Sequence, residues 1–161
     1  MSPPRTPRVF VVLSRDARLC ARLRTAWEPI HPVVTRGTWD EALATLRSRA
    51  VELLAVDTGP NTGERAEASL AWIGARIPDM ATVAIVDPGD ARRAFALGRA
   101  GTDGLVLAGA TDQSQLLRYA ADRALARALA RRVVRSLPDR LDPLVSRSLA
   151  RSIEWAGDVE H

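Results

Sequence analysis

Between positions 8 and 109, short apolar runs alternate with longer segments in which apolar residues recur every three or four positions. The runs RVFVVLS (8–14), HPVVTRG (31–37), VELLAVD (51–57), ATVAIVD (81–87) and DGLVLAG (103–109) read as five β-strands. Strands that alternate with helical patterns imply a parallel sheet covered on both faces.

The segments between the runs supply the covering helices. In DARLCARLRTAWE the apolar groups fall at Leu19, Leu23, Ala26 and Trp27, the stripe of a helix lying on a sheet. A second helix starts at Thr38, where T-W-D-E forms a capping box: the Thr38 hydroxyl accepts from the N3 amide while Glu41 reaches back. It turns Trp39, Ala42, Leu43 and Leu46 inward. A third helix over 64–77 buries Leu70, Ile73 and Ile77 and stops at Pro78. The fourth, DARRAFALGRAG, is expected to bury Ala91, Ala94, Phe95 and Gly98. Trp27, Trp39 and Trp72 lie on or beside these stripes and read as core or boundary aromatics.

Beyond Ala110 the pattern changes. Asp112 and Gln115 suit a further capping box, opening a helix that carries apolar residues from Leu116 to Leu129 and ends near Arg135. That is longer than packing on the sheet requires, so its far half needs another partner. Pro138 and Pro143 mark a turn, Asp142 and Pro143 an N-cap and first helical position, and LVSRSLARSIEWAG a last helix closed by Gly157. The chain then divides into a disordered tail (1–7), a domain (8–125) and a helical extension (126–161).

Composition narrows the classes of function. The single cysteine, Cys20, excludes an internal disulfide and a cysteine-based metal cluster. MSPPRTPR lacks an apolar targeting core, and no stretch reaches the roughly 18 apolar residues of a membrane span, so the chain reads as soluble and cytoplasmic. All 23 basic side chains are arginine and the net charge is +4. The densest basic run, RALARALARRVVRS (123–136), interleaves arginine with apolar residues at helical spacing, as a solvated or dimer-flanking face does. His31 and His161 lack the neighbours that catalysis or metal binding needs. The loop GPNTG has neither the spacing of a phosphate-cradling loop nor a following lysine, and reads as a strand-to-helix turn.

In an open parallel sheet, sites form at the carboxyl ends of the strands. Three acids lie there: Asp16 after the first strand, Asp57 at the end of the third and Asp87 at the end of the fourth. Clustered carboxylates can hold Mg²⁺, and a metal-neutralised aspartate can attack a phosphoryl group. The same three residues also suit local caps, which spacing alone favours: Asp16 on the first helix, Asp87 in the D-P-G-D turn and Asp57 on its loop.

The order of elements, the run VELLAVD and the segment ALGRAGTDGLVLA (96–108) resemble the receiver domains of bacterial two-component response regulators over about residues 8–125. The resemblance implies a flavodoxin-like, doubly wound five-stranded parallel sheet in the order 2-1-3-4-5, followed here by the helical extension. It places Asp57 at the phosphate-accepting position. The family's other site positions are altered in this chain. The Mg²⁺-binding acidic pair falls on Leu13 and Ser14, and the Thr or Ser of the fourth strand on Val86, or on Asp87 if the register shifts by one. The lysine of the fifth strand falls on Leu107, its following proline on Ala108, and the aromatic switch residue on Gly104.

Phosphoryl transfer needs a metal and cationic groups to offset charge on nucleophile and phosphate, and these replacements remove them. The resemblance with its losses therefore implies a degenerate receiver, a non-enzymatic signalling module without a cofactor. It would act by protein contact, as a homodimer through the fourth helix, the fifth strand and the long fifth helix. Three other readings stay open. One is the N-terminal regulatory part of a DNA-binding transcription regulator, with LPDRLDPLVSRSLARSIEWAGDVEH (137–161) as the first helix of a truncated helix-turn-helix unit. Another is a receiver that is phosphorylated on Asp57. The last is a small α/β enzyme or nucleotide binder using Asp16, Asp57 and Asp87, although no G-x-G-x-x-G fingerprint and no Ser/His or Cys/His pairing supports it.

Overall fold

The structure, a computed structural model, describes residues 8–59, 65–110 and 113–140. Strands β1 (Val9–Leu13), β2 (Val33–Arg36), β3 (Val51–Asp57), β4 (Ala81–Val86) and β5 (Gly104–Leu107) alternate with helices α1 (Ala17–Trp27), α2 (Trp39–Ser48), α3 (Ala66–Arg76), α4 (Ala91–Arg99) and α5 (Ser114–Arg140). The strands form one parallel sheet in the order β2-β1-β3-β4-β5, the topology expected from the sequence. Phe10 stands opposite both Val33 and Leu53, Leu53 opposite Ala81, and Val83 opposite Gly104.

Each central strand is apolar at consecutive positions because both of its faces are covered. On one face Phe10, Val12, Leu53, Ala55, Val83, Ile85 and Val106 meet α1 and α5. On the other, Val9, Val11, Leu13, Leu54, Val56, Ala84 and Val86 meet α2, α3 and α4. Trp27 closes the first core: its ring packs edge-on against Phe10 with centroids 5.6 Å apart, and its indole N–H donates to the Leu117 carbonyl at 3.1 Å. His31 stacks on the Phe10 ring at 4.3 Å, and its Nδ1 lies 3.5 Å from the Glu52 carboxylate, which gives it a structural setting.

The four predicted inward residues of α1 are its four buried ones. In α2 the Thr38 hydroxyl accepts from Glu41 N as the capping box requires. The Glu41 carboxylate reaches one residue further back than the usual box and accepts from Gly37 N at 2.9 Å. Trp39 and Ala42 are buried, Leu43 and Leu46 half-buried, and Thr45 is buried where only apolar residues were expected. The Thr45 hydroxyl tolerates this because it donates to the Glu41 carbonyl and accepts from Arg36 Nε. In α3 Leu70 and Ile73 are buried, while Ile77 packs half-buried at its end.

Helix α4 corrects the sequence reading. Ala91, Phe95 and Gly98 are exposed, Ala94 is half-buried, and Leu97 is its one buried residue. The helix covers only the edge of the sheet, so its inward stripe is one residue wide and Leu97 fills it.

Helix α5 runs unbroken across positions 125 and 126 and continues through Pro138 to Arg140, past the turn expected there. Its 27 residues span about 40 Å at a rise of about 1.5 Å each. Leu117, Ala121, Ala124 and Ala128 pack on the sheet. The far half finds part of its partner in the same domain. Arg127 donates to the Asp103 carbonyl at 2.5 Å, Arg131 binds both Asp103 carboxylate oxygens and the Pro78 carbonyl, and Arg135 pairs with Asp79. The Asp112 capping box, the GPNTG loop beyond Gly59 and the last helix after Arg140 lie outside the described residues. Among the described residues no helix is long and apolar enough to cross a membrane.

Candidate functional site

The carboxyl ends of β1, β3 and β4 lie side by side, and the residues just past them are held by continuations of the strand ladders. Ser14 N donates to the Arg36 carbonyl at 2.9 Å, which carries the β1–β2 pairing one residue beyond Leu13. Thr58 N donates to the Ile85 carbonyl at 3.0 Å and does the same for β3 beside β4. Both residues are buried.

The Ser14 hydroxyl, thus fixed, donates to Asp57 Oδ2 at 2.7 Å and accepts from Asp16 N at 3.0 Å. The other Asp57 oxygen, Oδ1, accepts from Gly59 N at 3.0 Å. A Cβ on Gly59 would sit 3.2 Å from that oxygen, so glycine at this position lets the backbone approach the carboxylate. Cys20 lies behind Ser14 with its thiol 3.7 Å from the Ser14 carbonyl, and burial pushes the thiol pKa up from its ordinary value.

Two of the three acids are committed locally. Asp16 Oδ1 accepts from Arg18 N at 2.8 Å and Leu19 N at 3.2 Å, making it the N-cap of α1. Asp87 Oδ1 accepts from Gly89 N at 3.3 Å, and its carbonyl accepts from Asp90 N, closing the turn before α4. Among the described residues no three His, Cys, Asp or Glu side chains gather as a cation site. The donor set does not fit Mg²⁺. That ion needs several oxygen ligands in octahedral array, whereas the two Asp57 carboxylate oxygens meet hydrogen-bond donors, the Ser14 hydroxyl and the Gly59 N–H.

Of the other positions that the resemblance implies, only Asp87, the alternative to Val86, carries a polar side chain, and it closes the turn before α4. Leu13 and Val86 are buried in the sheet, and Gly104 sits opposite Val83 with the Ala120 carbonyl 3.6 Å from where a Cβ would stand. Leu107 is half-exposed on the edge strand, in register with Val86 and so on the sheet face that α4 covers. The neighbouring Ala108 cannot supply a cation either. Sequence reasoning missed Thr58 and Arg93: the Thr58 hydroxyl donates to the Ile85 carbonyl at 2.7 Å, and Arg93 reaches from α4 to the Thr58 carbonyl at 2.7 Å. A hydroxyl directly after a strand-ending aspartate was the available signal.

Solved structures of similar shape identify this arrangement of sheet and helices. NtrX from Brucella abortus in complex with ADP superposes with a TM-score of 0.70 at 23% identity, over 84% of this chain and 30% of that one. A response regulator receiver domain protein (CheY-like) from Methanospirillum hungatei JF-1 gives 0.66 at 15% identity, covering 78% and 99% of the two chains. The CheY-like protein TadZ from Pseudomonas aeruginosa PAO1 gives 0.58 at 25% identity, covering 70% and 98%. The fold is that of a receiver domain. This chain spans less than a third of the NtrX chain and nearly the whole of the two CheY-like ones. No sequence family matches it, and no curated protein does.

Within a receiver fold, Asp57 occupies the carboxyl end of the central strand, and Ser14 faces it from the neighbouring strand. A neutral hydroxyl therefore stands against the carboxylate.

Proposed function

We propose that this chain is a cytoplasmic, receiver-fold signalling module that works by protein contact and does not undergo Mg²⁺-dependent aspartyl phosphorylation. The Ser14–Asp57 hydrogen bond carries the reading. It sets a proton donor against Asp57, at a position where the resemblance to receivers implies a metal-binding carboxylate, and no lysine exists in the chain to grip the phosphoryl oxygens. Regulation then comes from the contacts of α4, β5 and α5. Val133, Val134 and Leu137 are exposed on the distal turns of α5 and offer a homodimer contact there.

Incubation with acetyl phosphate and Mg²⁺ tests the proposal, with intact-mass spectrometry as readout. The expected result is no stable incorporation. Incorporation that Asp57→Asn abolishes would restore the reading of a working receiver. Sedimentation tests the dimer: Val133→Arg combined with Leu137→Arg is expected to lower the mass, and an unchanged monomer in both forms would exclude it.

A second reading has one observation in its favour. The chain aligns with about a third of NtrX, so it suits one part of a longer regulatory protein, such as the N-terminal part of a DNA-binding transcription regulator. A longer reading frame encoding a DNA-binding unit after His161 would support it.

A further inference from the structure

We infer that residues 144–156 fold back antiparallel along the distal half of α5 and cover it, as the second helix of a helical hairpin. The hairpin goes beyond the signalling reading and is independent of the state of Asp57.

The distal half of α5 carries an uncovered stripe. Past Ala128, the last α5 residue in the core, Leu129, Val133 and Leu137 recur every four residues and are 60%, 50% and 49% exposed. Residues so spaced share one side of a helix. Arg127, Arg131 and Arg135 tie another side of α5 to Asp103, Pro78 and Asp79, which leaves the stripe facing away from the sheet. Large apolar side chains gathered in a row mark an interaction site, whereas single exposed ones are ordinary.

The chain itself carries a matching stripe. Beyond Arg140, outside the described residues, the sequence runs LDPLVSRSLARSIEWAG (141–157). Val145, Leu149 and Ile153 again recur every four residues, with Ser, Arg and Ala between them. Asp142 and Pro143 suit an N-cap and first helical position, so Leu141 and Asp142 alone remain to join the helices. Helical hairpins use connections of about 2–5 residues.

Register follows from this turn. Leu137 and Val145 each stand four residues from Leu141, Val133 and Leu149 each eight, and Leu129 and Ile153 each twelve. An antiparallel return therefore sets the two stripes against each other pair by pair.

Charge agrees with that register. Leu125 and Leu129 line a groove of about 210 Å³ with Arg8 and Arg132 at its sides. Its acids are engaged: Glu52 lies against Arg8 and His31, and Asp79 pairs with Arg135. Arg132 is in no ion pair among the described residues. The stretch that the register brings to this end, 154–160, carries Glu154, Asp158 and Glu160 and no arginine. Opposite charges thus meet there.

A second copy of the chain is the rival occupant of the stripe. The chain's own segment is favoured because a connection this short holds it beside α5 at an effective concentration of about millimolar. Val134 lies about 100° round α5 from Val133, off the seam, so a homodimer contact keeps a place beside the hairpin.

The test uses the full chain with Cys20→Ser, which removes its one cysteine. Val133→Cys is combined with Leu149→Cys and, as a control, with Arg151→Cys, which lies about 160° round the segment from Leu149. Oxidation at micromolar protein is followed by intact mass and non-reducing electrophoresis, with thermal melts confirming that each variant is folded. The first pair is expected to close within one chain about tenfold faster than the control. Leu137→Cys with Val145→Cys should close as readily, whereas Leu129→Cys with Val145→Cys should not. Equal rates at 149 and 151, or no closure in either matched pair, would overturn the hairpin. Closure only between chains, at twice the mass, would give the stripe to a second copy and overturn it as well.

Discussion

The Ser14 hydroxyl donates to Asp57 Oδ2 at 2.7 Å, joining the ends of the adjacent strands β1 and β3. A hydrogen bond to a charged group contributes roughly 1.5–3 kcal/mol. Ser14→Ala is therefore expected to lower stability by about 2 kcal/mol in urea unfolding, without changing the fold. Ser14→Asp replaces attraction with repulsion between two carboxylates. It should destabilise further and make the melting temperature rise with added MgCl₂, as two acids together can ligate the ion. Equal Mg²⁺ dependence in the unaltered chain would contradict the site as described.

Asp16 separates a helix cap from a metal ligand. Its Oδ1 accepts two backbone N–H groups of α1, a role that asparagine fills about as well as aspartate. Asp16→Asn should leave stability nearly unchanged, and Asp16→Ala should cost about 1 kcal/mol. A large loss in Asp16→Asn, relieved in neither form by a cap, would mean that the charge itself is needed.

How far these features could be read from the sequence follows from the range of the forces involved. The apolar run of β3 and the stripe of α1 are local patterns fixed by the two-sided sheet, and the structure reproduces both. α4 was misread because ARRAFALGR carries apolar residues on more than one side, and the bulk of Phe95 suggests burial that an edge helix does not provide. At the site, the residues at 14, 16 and 57 were legible as types. Whether Asp16 turned toward Asp57 or toward its own helix depended on competition between a charged neighbour and two backbone donors, which residue spacing alone does not rank. The tie between Asp103 and Arg131 was hidden by 28 positions of separation; its trace is the four-residue spacing of Arg127, Arg131 and Arg135.

That tie governs α5. Asp103 is 3% exposed and accepts from Thr82 N and from both terminal nitrogens of Arg131, whose pKa is raised by the hydrogen bond it donates to Asp103. Arg131 is partly exposed, so water screens the pair. Asp103→Ala should cost about 2 kcal/mol rather than the 3–5 of a fully buried pair. Hydrogen exchange should show lost protection over 127–137 while 117–124 stay protected. Arg131→Lys should restore little, as an ammonium cannot replace a two-pronged guanidinium. Unchanged protection in the distal turns would show that the tie does not hold them.

Glu41 gives the chain a pH dependence of defined sign. The Gly37 N–H, more than any other group, holds its carboxyl below the ordinary carboxylate range, with the Thr38 N–H and Arg36 helping. A depressed pKa in the folded state means that unfolding takes up a proton at this residue once the pH approaches the ordinary value. The stabilisation is therefore complete above that value and is lost as pH falls through the lowered one. Glu41→Gln should thus shift the urea midpoint at neutral pH, and the difference from the unaltered chain should close under acid conditions. A difference that persists unchanged in acid would assign the effect to the shape of the side chain and not to its charge.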